Sequence, residues 1–277
     1  MDIFAALVFQ DWALFILSLT VLGVVAGFMA GLFGVGGGLV LVPGLFFVFQ
    51  GLGFEAESLM HVCIGTSLAL IIPNGLMSAR AHWRKGAVDF GLVKTLGAGV
   101  LTGVFMGVVL ADYLASAALQ KVFAGGVLVF AGVMLFDPAR LKVLTGVPAR
   151  PWTGIVGAGI GAVSSLIGIG GGTLSVPFMS LCGVPIHRAI GTAAALGVVI
   201  AVPGALGFMF TGLGEDGRPP FSVGYVNILA WALILPGALV SVKAGVWAAH
   251  KAPVDVMRRV FSGFLVIVAI KIWIDIF

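Results

Sequence analysis

The sequence predicts an all-α polytopic membrane protein made of two repeats of inverted topology, with about eight to ten transmembrane segments. Three observations carry that expectation. Hydrophobic residues make up 60% of the 277, charged residues only 9%, and the mean hydropathy is +1.19; a bilayer is the natural solvent for such a chain. A glycine run ending in proline occurs twice, as Gly34-Val-Gly-Gly-Gly-Leu-Val-Leu-Val-Pro43 and as Gly168-Ile-Gly-Gly-Gly-Thr-Leu-Ser-Val-Pro177. Each copy interrupts an apolar stretch, the pattern of a protein whose repeats meet at broken helices. Third, the basic residues cluster around Arg80, His82, Arg84 and Lys85; Arg140, Lys142 and Arg150; His187 and Arg188; and His250, Lys251, Arg258 and Arg259. All four clusters fall in the cytoplasm if each half crosses the membrane an odd number of times. The opposite loops then carry Glu55, Glu57, Asp112, Glu215 and Asp216.

The apolar segments follow in order at 12–33, 39–52, 59–79, 88–111 and 116–136, then at 152–168, 172–184, 187–211, 222–247 and 253–276. Residues 1–145 are read as the first membrane repeat and 146–277 as the second. No Lys or Arg precedes the first apolar stretch, so it reads as a span and not as a cleaved signal. Segments 39–52 and 172–184 are short. At about 1.5 Å per residue they reach about 20 Å of a core about 30 Å thick, as tilted half-spans or returning limbs of re-entrant hairpins.

The repeat extends beyond the glycines. His61-Val-Cys-Ile-Gly-Thr66 matches His187-Arg-Ala-Ile-Gly-Thr192, and Pro73 matches Pro203. Small residues recur every fourth position at Gly23, Gly27 and Gly31, at Gly157, Gly161 and Ser165, and at Gly99, Gly103 and Gly107. That spacing lays a stripe along a helix on which a second backbone can approach closely in lipid. Cys63 and Cys182 lie in or beside apolar runs and read as small core residues.

Broken backbone persists in a membrane only where it is buried in protein or lines a wet cavity. Gly36, Gly37, Gly38 and Gly170, Gly171, Gly172 can turn bare N–H groups toward a ligand. The half-helices that follow bring the positive ends of their dipoles to the same place. A small anion suits that arrangement. Thr173 and Ser175 add hydroxyl donors in the second copy. Thr66, Ser67, Thr192 and Asn74 are further candidates, although helical Ser and Thr often bond to a carbonyl one turn back. His61 and His187, at matched helix starts, are candidates for gating or a proton-linked role. Lys94 and Lys243 are the cations nearest a membrane interior.

The glycine-proline run, the later Gly-Thr-Ser or Gly-Thr-Ala, and the stretch Trp83-Arg-Lys-Gly-Ala-Val-Asp89 together resemble the TauE/SafE family of membrane permeases, over nearly the whole chain. The resemblance implies a multi-pass protein of the bacterial cytoplasmic membrane that moves sulfite or organosulfonate anions. The loop from Thr211 to Pro220 departs from the pattern: where the first half has its basic stretch, it carries Glu215, Asp216 and a single Arg218.

A secondary anion transporter working by alternating access is the favoured reading, with no cofactor and no metal. Its partners are a small anionic substrate and the lipid bilayer, not nucleic acid. One chain holds both repeats, so a monomer suffices for one pathway. The glycine runs lack the Gly-Lys-Ser/Thr of a phosphate loop, which disfavours a nucleotide-driven pump. A metal-cation permease or channel is the alternative. It needs His, Cys or carboxylate ligands inside spans, and these are scarce. An intramembrane enzyme needs a nucleophile paired with a base, and none is evident.

Overall fold

The computed structural model describes residues 9–34, 36–54, 57–135, 146–149, 151–251 and 254–276. Ten helices lie in this part: α1 (Phe9–Phe33), α2 (Gly38–Gly51), α3 (Leu59–Trp83), α4 (Phe90–Asp112), α5 (Ser116–Leu135), α6 (Trp152–Leu166), α7 (Gly172–Leu181), α8 (Ile186–Thr211), α9 (Ile228–Lys251) and α10 (Val254–Ile276). Six of them, α1, α3, α4, α5, α8 and α9, contain stretches long and apolar enough to cross a membrane. The apolar helices of α2, α6 and α7 and the apolar part of α10 are shorter. The protein is an all-α polytopic membrane protein, and its helices match the apolar segments of the sequence one for one. Arg140, Lys142 and Arg150 lie outside the described residues.

One boundary is corrected. The segment expected at 222–247 does not begin as helix. Ser222–Val223 (β1) and Val226–Asn227 (β2) form a small antiparallel hairpin, and α9 starts at Ile228. Gly224 turns the hairpin at φ 54°, with Phe221 also left-handed at 65°. Asn227 then ends the extended stretch by accepting the Ala230 N–H with its Oδ1 at 2.9 Å, a side-chain cap that fixes where the helix begins.

The small-residue stripes set the packing. Gly23, Gly27 and Gly31 of α1 lie on the carbonyls of Ile234, Ala238 and Val242 in α9. Gly99, Gly103 and Gly107 of α4 lie on those of Gly154, Ala158 and Ala162 in α6. Residue numbers rise together in both pairs, so each pair runs parallel. Lipid gives no hydrophobic drive between helices, so close backbone contact and Cα–H···O approach stabilise such pairs. In contrast, α3 crosses α8 antiparallel: Gly65 meets Phe208, Gly204 meets Leu68, and Gly75 meets Val198. The central element is α3, with 72% of its apolar window buried against 33% for α1. Outward residues such as Leu17 and Val21 on α1 and Phe105 and Val109 on α4 are exposed, as a lipid-facing surface requires.

Candidate functional site

The first break starts where α1 ends, with the Gly34 N–H donating to the Ala30 carbonyl at 3.0 Å. Gly34, Gly36 and Gly37 all sit at positive φ, of 67°, 71° and 85°. L side chains rarely enter that region, and space is also lacking. A Cβ on Gly37 would lie 2.6 Å from the Ala26 oxygen, and one on Gly36 would lie 2.8 Å from Cγ2 of Ile71. Gly37 caps α2, and its carbonyl accepts the N–H groups of Val40 and Leu41 at 3.0 Å.

The second break begins where the Ile169 N–H donates to the Ser164 carbonyl at 3.0 Å. Gly168 is left-handed, with φ 66°. Gly171 caps α7 from the right-handed region, at φ −54°, and accepts the Ser175 N–H at 2.9 Å. Among the described residues, no acceptor takes the N–H of Gly170, Gly171 or Gly172.

The fold brings the two breaks together. Gly38 packs on Gly168 and Ile169, so closely that a Cβ on it would come within 2.7 Å of the Ile169 Cα. Helix α3 lies across both: Ile71 covers Gly36, Ile64 covers Gly168, and the Ser67 hydroxyl donates to the Gly168 carbonyl at 2.8 Å. Helix α8 touches both as well, through Ile190 at Gly34 and through Leu196 and Gly197 at Gly171. Every described residue from Gly34 to Gly38 and from Gly168 to Gly172 is buried.

Four side chains near the breaks hold polar atoms with nothing to bond. Asn74 Oδ1 and Nδ2, Ser164 Oγ, Thr173 Oγ1 and Ser175 Oγ have no partner, and these residues are 0–1% exposed. Asn74 stands on α3 one turn past Ile71, Ser164 on the last turn of α6, and Thr173 and Ser175 on the first turn of α7. A buried polar group left unpaired costs about 1–3 kcal/mol. Ser58, Ser180 and Ser262 also hold buried hydroxyls without a partner, so what singles out these four is their place in sequence beside the two breaks. Ser164, just before the second break, is not among the candidates read from the sequence.

The remaining candidates have other duties. Thr66 Oγ1 accepts the backbone N–H of Asn227 at 2.8 Å, and Thr192 Oγ1 accepts that of Asp89 at 2.9 Å. Asp89 and Asn227 are themselves caps. The Asp89 Oδ1 accepts from Gly91 N at 2.9 Å and Leu92 N at 3.1 Å, as Asn227 does for α9. The two threonines therefore anchor helix starts belonging to the opposite half of the chain. The matched stretches Val88-Asp89-Phe90 and Val226-Asn227-Ile228 held this signal, one polar residue between apolar ones at each helix start.

The matched histidines diverge. His61 is 5% exposed and stacks on Tyr225 with ring centroids 4.9 Å apart. Its Nε2 donates to the Ala111 carbonyl at 3.0 Å, which leaves Nδ1 as an unpaired acceptor. His187 is exposed. His82, grouped above with solvated bases, is 1% exposed with Nε2 3.3 Å from the Gly31 carbonyl. Lys94 and Lys243 are exposed and do not enter the site. Among the described residues no Asp, Glu, Lys or Arg is buried, and no three His, Cys, Asp or Glu side chains gather as a metal ion would need. The cysteines are free and buried.

With this geometry in place, comparison with known proteins is decisive about kinship. Residues 19–272 match the model of the sulfite exporter TauE/SafE family. The chain belongs to that family. Among its relatives is a probable membrane transporter protein of Haemophilus influenzae, 34% identical over 94% of this chain and 98% of that protein. Another, from Methanocaldococcus jannaschii, is 24% identical over 92% of this chain and 94% of its own length. A third, from Bacillus subtilis, is 29% identical over 82% and 86%. No solved structure matches the chain. This TauE/SafE protein is thus a multi-pass membrane transporter.

Proposed function

We propose that the protein is a secondary transporter that moves a small sulfur-containing anion, sulfite or an organosulfonate, across the cytoplasmic membrane by alternating access. The observation that carries the reading is the meeting of the two glycine breaks beside unpaired, fully buried donors on Asn74, Ser164, Thr173 and Ser175. Thr173 and Ser175 put donors without partners at the positive end of the short helix α7, which suits an anion. The family description supplies sulfite as the substrate class.

Residues 1–145 and 146–277 act in this proposal as two inverted repeats. Pairing α1 to α5 in order with α6 to α10 supports it. The parallel pair α1 and α9 exchanges with the parallel pair α6 and α4, while α3 and α8, which correspond to each other, run antiparallel. Rocking one repeat against the other opens the enclosed breaks to either side in turn.

The test is flux into proteoliposomes. Purified protein is expected to carry sulfite, with an organosulfonate as inhibitor. Thr173→Val keeps the shape and removes one donor. It is expected to raise the apparent KM about tenfold, the worth of one hydrogen bond of about 1.4 kcal/mol, without lowering the unfolding temperature. An unchanged KM sinks the site; no flux of any sulfur anion from folded protein sinks the substrate.

A further inference from the structure

Resting on that transport reading, we infer that α3 is the fixed frame of the site and that the middle of α8, hinged at Pro203, is the part that moves to uncover the second break. Both helices carry an internal proline, Pro73 in α3 and Pro203 in α8. A proline has no N–H for the carbonyl four residues before it, so each kink frees one carbonyl, of Ala69 or of Val199. The two kinks are treated differently. The Trp231 indole of α9 donates to the Ala69 carbonyl at 3.2 Å, which braces α3 where proline weakens it. Among the described residues no side chain donates to the Val199 carbonyl. Counted from the helix caps Asn227 and Asp89, the place of Trp231 in α9 is taken in α4 by Val93, which has no donor to offer.

The same contrast runs along both helices. From α3, Ser67 donates to the Gly168 carbonyl at 2.8 Å and Ser78 to that of Ala30 at 3.3 Å, and His82 Nε2 lies 3.3 Å from that of Gly31. These side chains tie α3 to the second break and to the end of α1 that leads into the first. In α8 every residue from Ala193 to Gly207 has an apolar side chain or none, so that stretch has nothing with which to tie itself to its neighbours.

Helix α8 is held at its ends instead. At one end Arg188 and Thr192 both bond Asp89. At the other the Phe208 carbonyl accepts the Tyr225 N–H at 3.0 Å. Between those ties α8 covers the second break by packing, with Leu196 and Gly197 against Gly171. An apolar crevice of about 610 Å³, whose lining includes Pro73, Val202, Leu206 and Trp231, leaves room beside the hinge. A helix held at both ends and unbraced at a proline between them bends at that proline. Bending draws Leu196 and Gly197 off Gly171 while Ser67 keeps Gly168 in place. The rocking of the second repeat is thereby located in one helix.

The experiment measures sulfite flux and amide hydrogen exchange on the whole protein in liposomes. Pro203→Ala gives the Val199 carbonyl a backbone N–H and stiffens the hinge. It is expected to slow turnover about fivefold, the worth of one hydrogen bond, with KM unchanged and the unfolding temperature not lowered. Trp231→Phe removes the brace and is expected to raise KM about fivefold, because the frame that holds the second break then bends as well. Pro73→Ala added to Trp231→Phe hands the Ala69 carbonyl a backbone N–H and should restore the KM, which a mere loss of indole packing would not allow. Exchange within 196–206 is expected to slow in Pro203→Ala. Exchange within 66–76 is expected to quicken in Trp231→Phe and to return in the double variant. Pro73→Ala alone slowing turnover as much as Pro203→Ala overturns the inference, and so does exchange in α8 that Pro203→Ala leaves unchanged. If the wild-type protein carries no sulfur anion, the transport reading falls, and the exchange results alone decide whether α8 is hinged against a fixed α3.

Discussion

In the first break three glycines lie at positive φ, and the helix that follows opens with Leu39, Val40 and Leu41; in the second, Gly168 is left-handed, Gly171 is not, and the helix opens with Thr173, Leu174 and Ser175. The two glycine phrases, which differ only by Val against Ile at the second position, therefore do different jobs. At the first break it makes the sharp turn and lets Ala26 and Ile71 close in. At the second the turn is gentler, and the side chains around it carry polar atoms that nothing in the protein satisfies. Asn74 is the polar contribution of the first half, and its counterpart by the Pro73–Pro203 match is Gly204. The halves carry matched breaks but hold unpaired polar groups unequally.

The largest expected effect breaks this contrast at the backbone. Gly37→Ala forces alanine into a left-handed conformation, at about 1–2 kcal/mol, and drives its Cβ against the Ala26 oxygen. Gly171→Ala meets the Gly197 amide at 2.9 Å but suffers no dihedral strain. Thermal unfolding in detergent should show the larger drop for Gly37→Ala. Equal losses at both positions would mean that the two breaks are equivalent after all.

A second, smaller effect separates scaffold from site. Thr192→Val and Thr66→Val each leave a backbone N–H, the part-buried one of Asp89 or the buried one of Asn227, without its acceptor. Each is expected to lower stability by about 1–2 kcal/mol and to leave the substrate KM unchanged. Thr173→Val should do the reverse. If the KM moves with Thr66→Val as it does with Thr173→Val, the threonines of α3 and α8 belong to the site as well as to the helix caps.

Much of this was legible in the sequence. Apolar run lengths located all ten helices, because in lipid the backbone has few alternatives to helix. The four-residue glycine spacing announced the tight pairs of α1 with α9 and α4 with α6, although not which stripe would meet which helix, since a small-residue stripe fits any close backbone. The glycine runs announced buried breaks. Their difference in φ was hidden, because glycine identity permits both conformations and only the neighbours choose between them. The hairpin at Ser222–Asn227 was missed because its valines and tyrosine read as the start of an apolar helix. For Thr66 and Thr192 the sequence left open a cavity-facing hydroxyl or a bond to a carbonyl one turn back; each instead accepts a backbone N–H from the other half of the chain, because a hydroxyl in a membrane helix looks alike whether it meets a ligand or a neighbouring amide.

The smallest effect compares the two helix caps that those threonines hold. Asp89 is tied on its outer side by Arg188, Nη2 to Oδ2 at 2.9 Å, with the side chains 27% and 53% exposed. Asn227 is tied instead by the hairpin, its Nδ2 donating to the Pro220 carbonyl at 2.8 Å and to Ser222 Oγ at 3.0 Å. An ion pair that exposed is worth about 0–1 kcal/mol and weakens as salt screens it, whereas Asn227 is 1% exposed and bonds through uncharged groups. Arg188→Gln should therefore lower the unfolding temperature only slightly, and the difference should vanish in high salt. Asn227→Ala removes the cap of α9 together with both hairpin bonds, and its loss should exceed that of Arg188→Gln and persist at every salt concentration. A salt-insensitive loss on Arg188→Gln would show that the Asp89 cap depends on its guanidinium as firmly as the Asn227 cap depends on its hairpin.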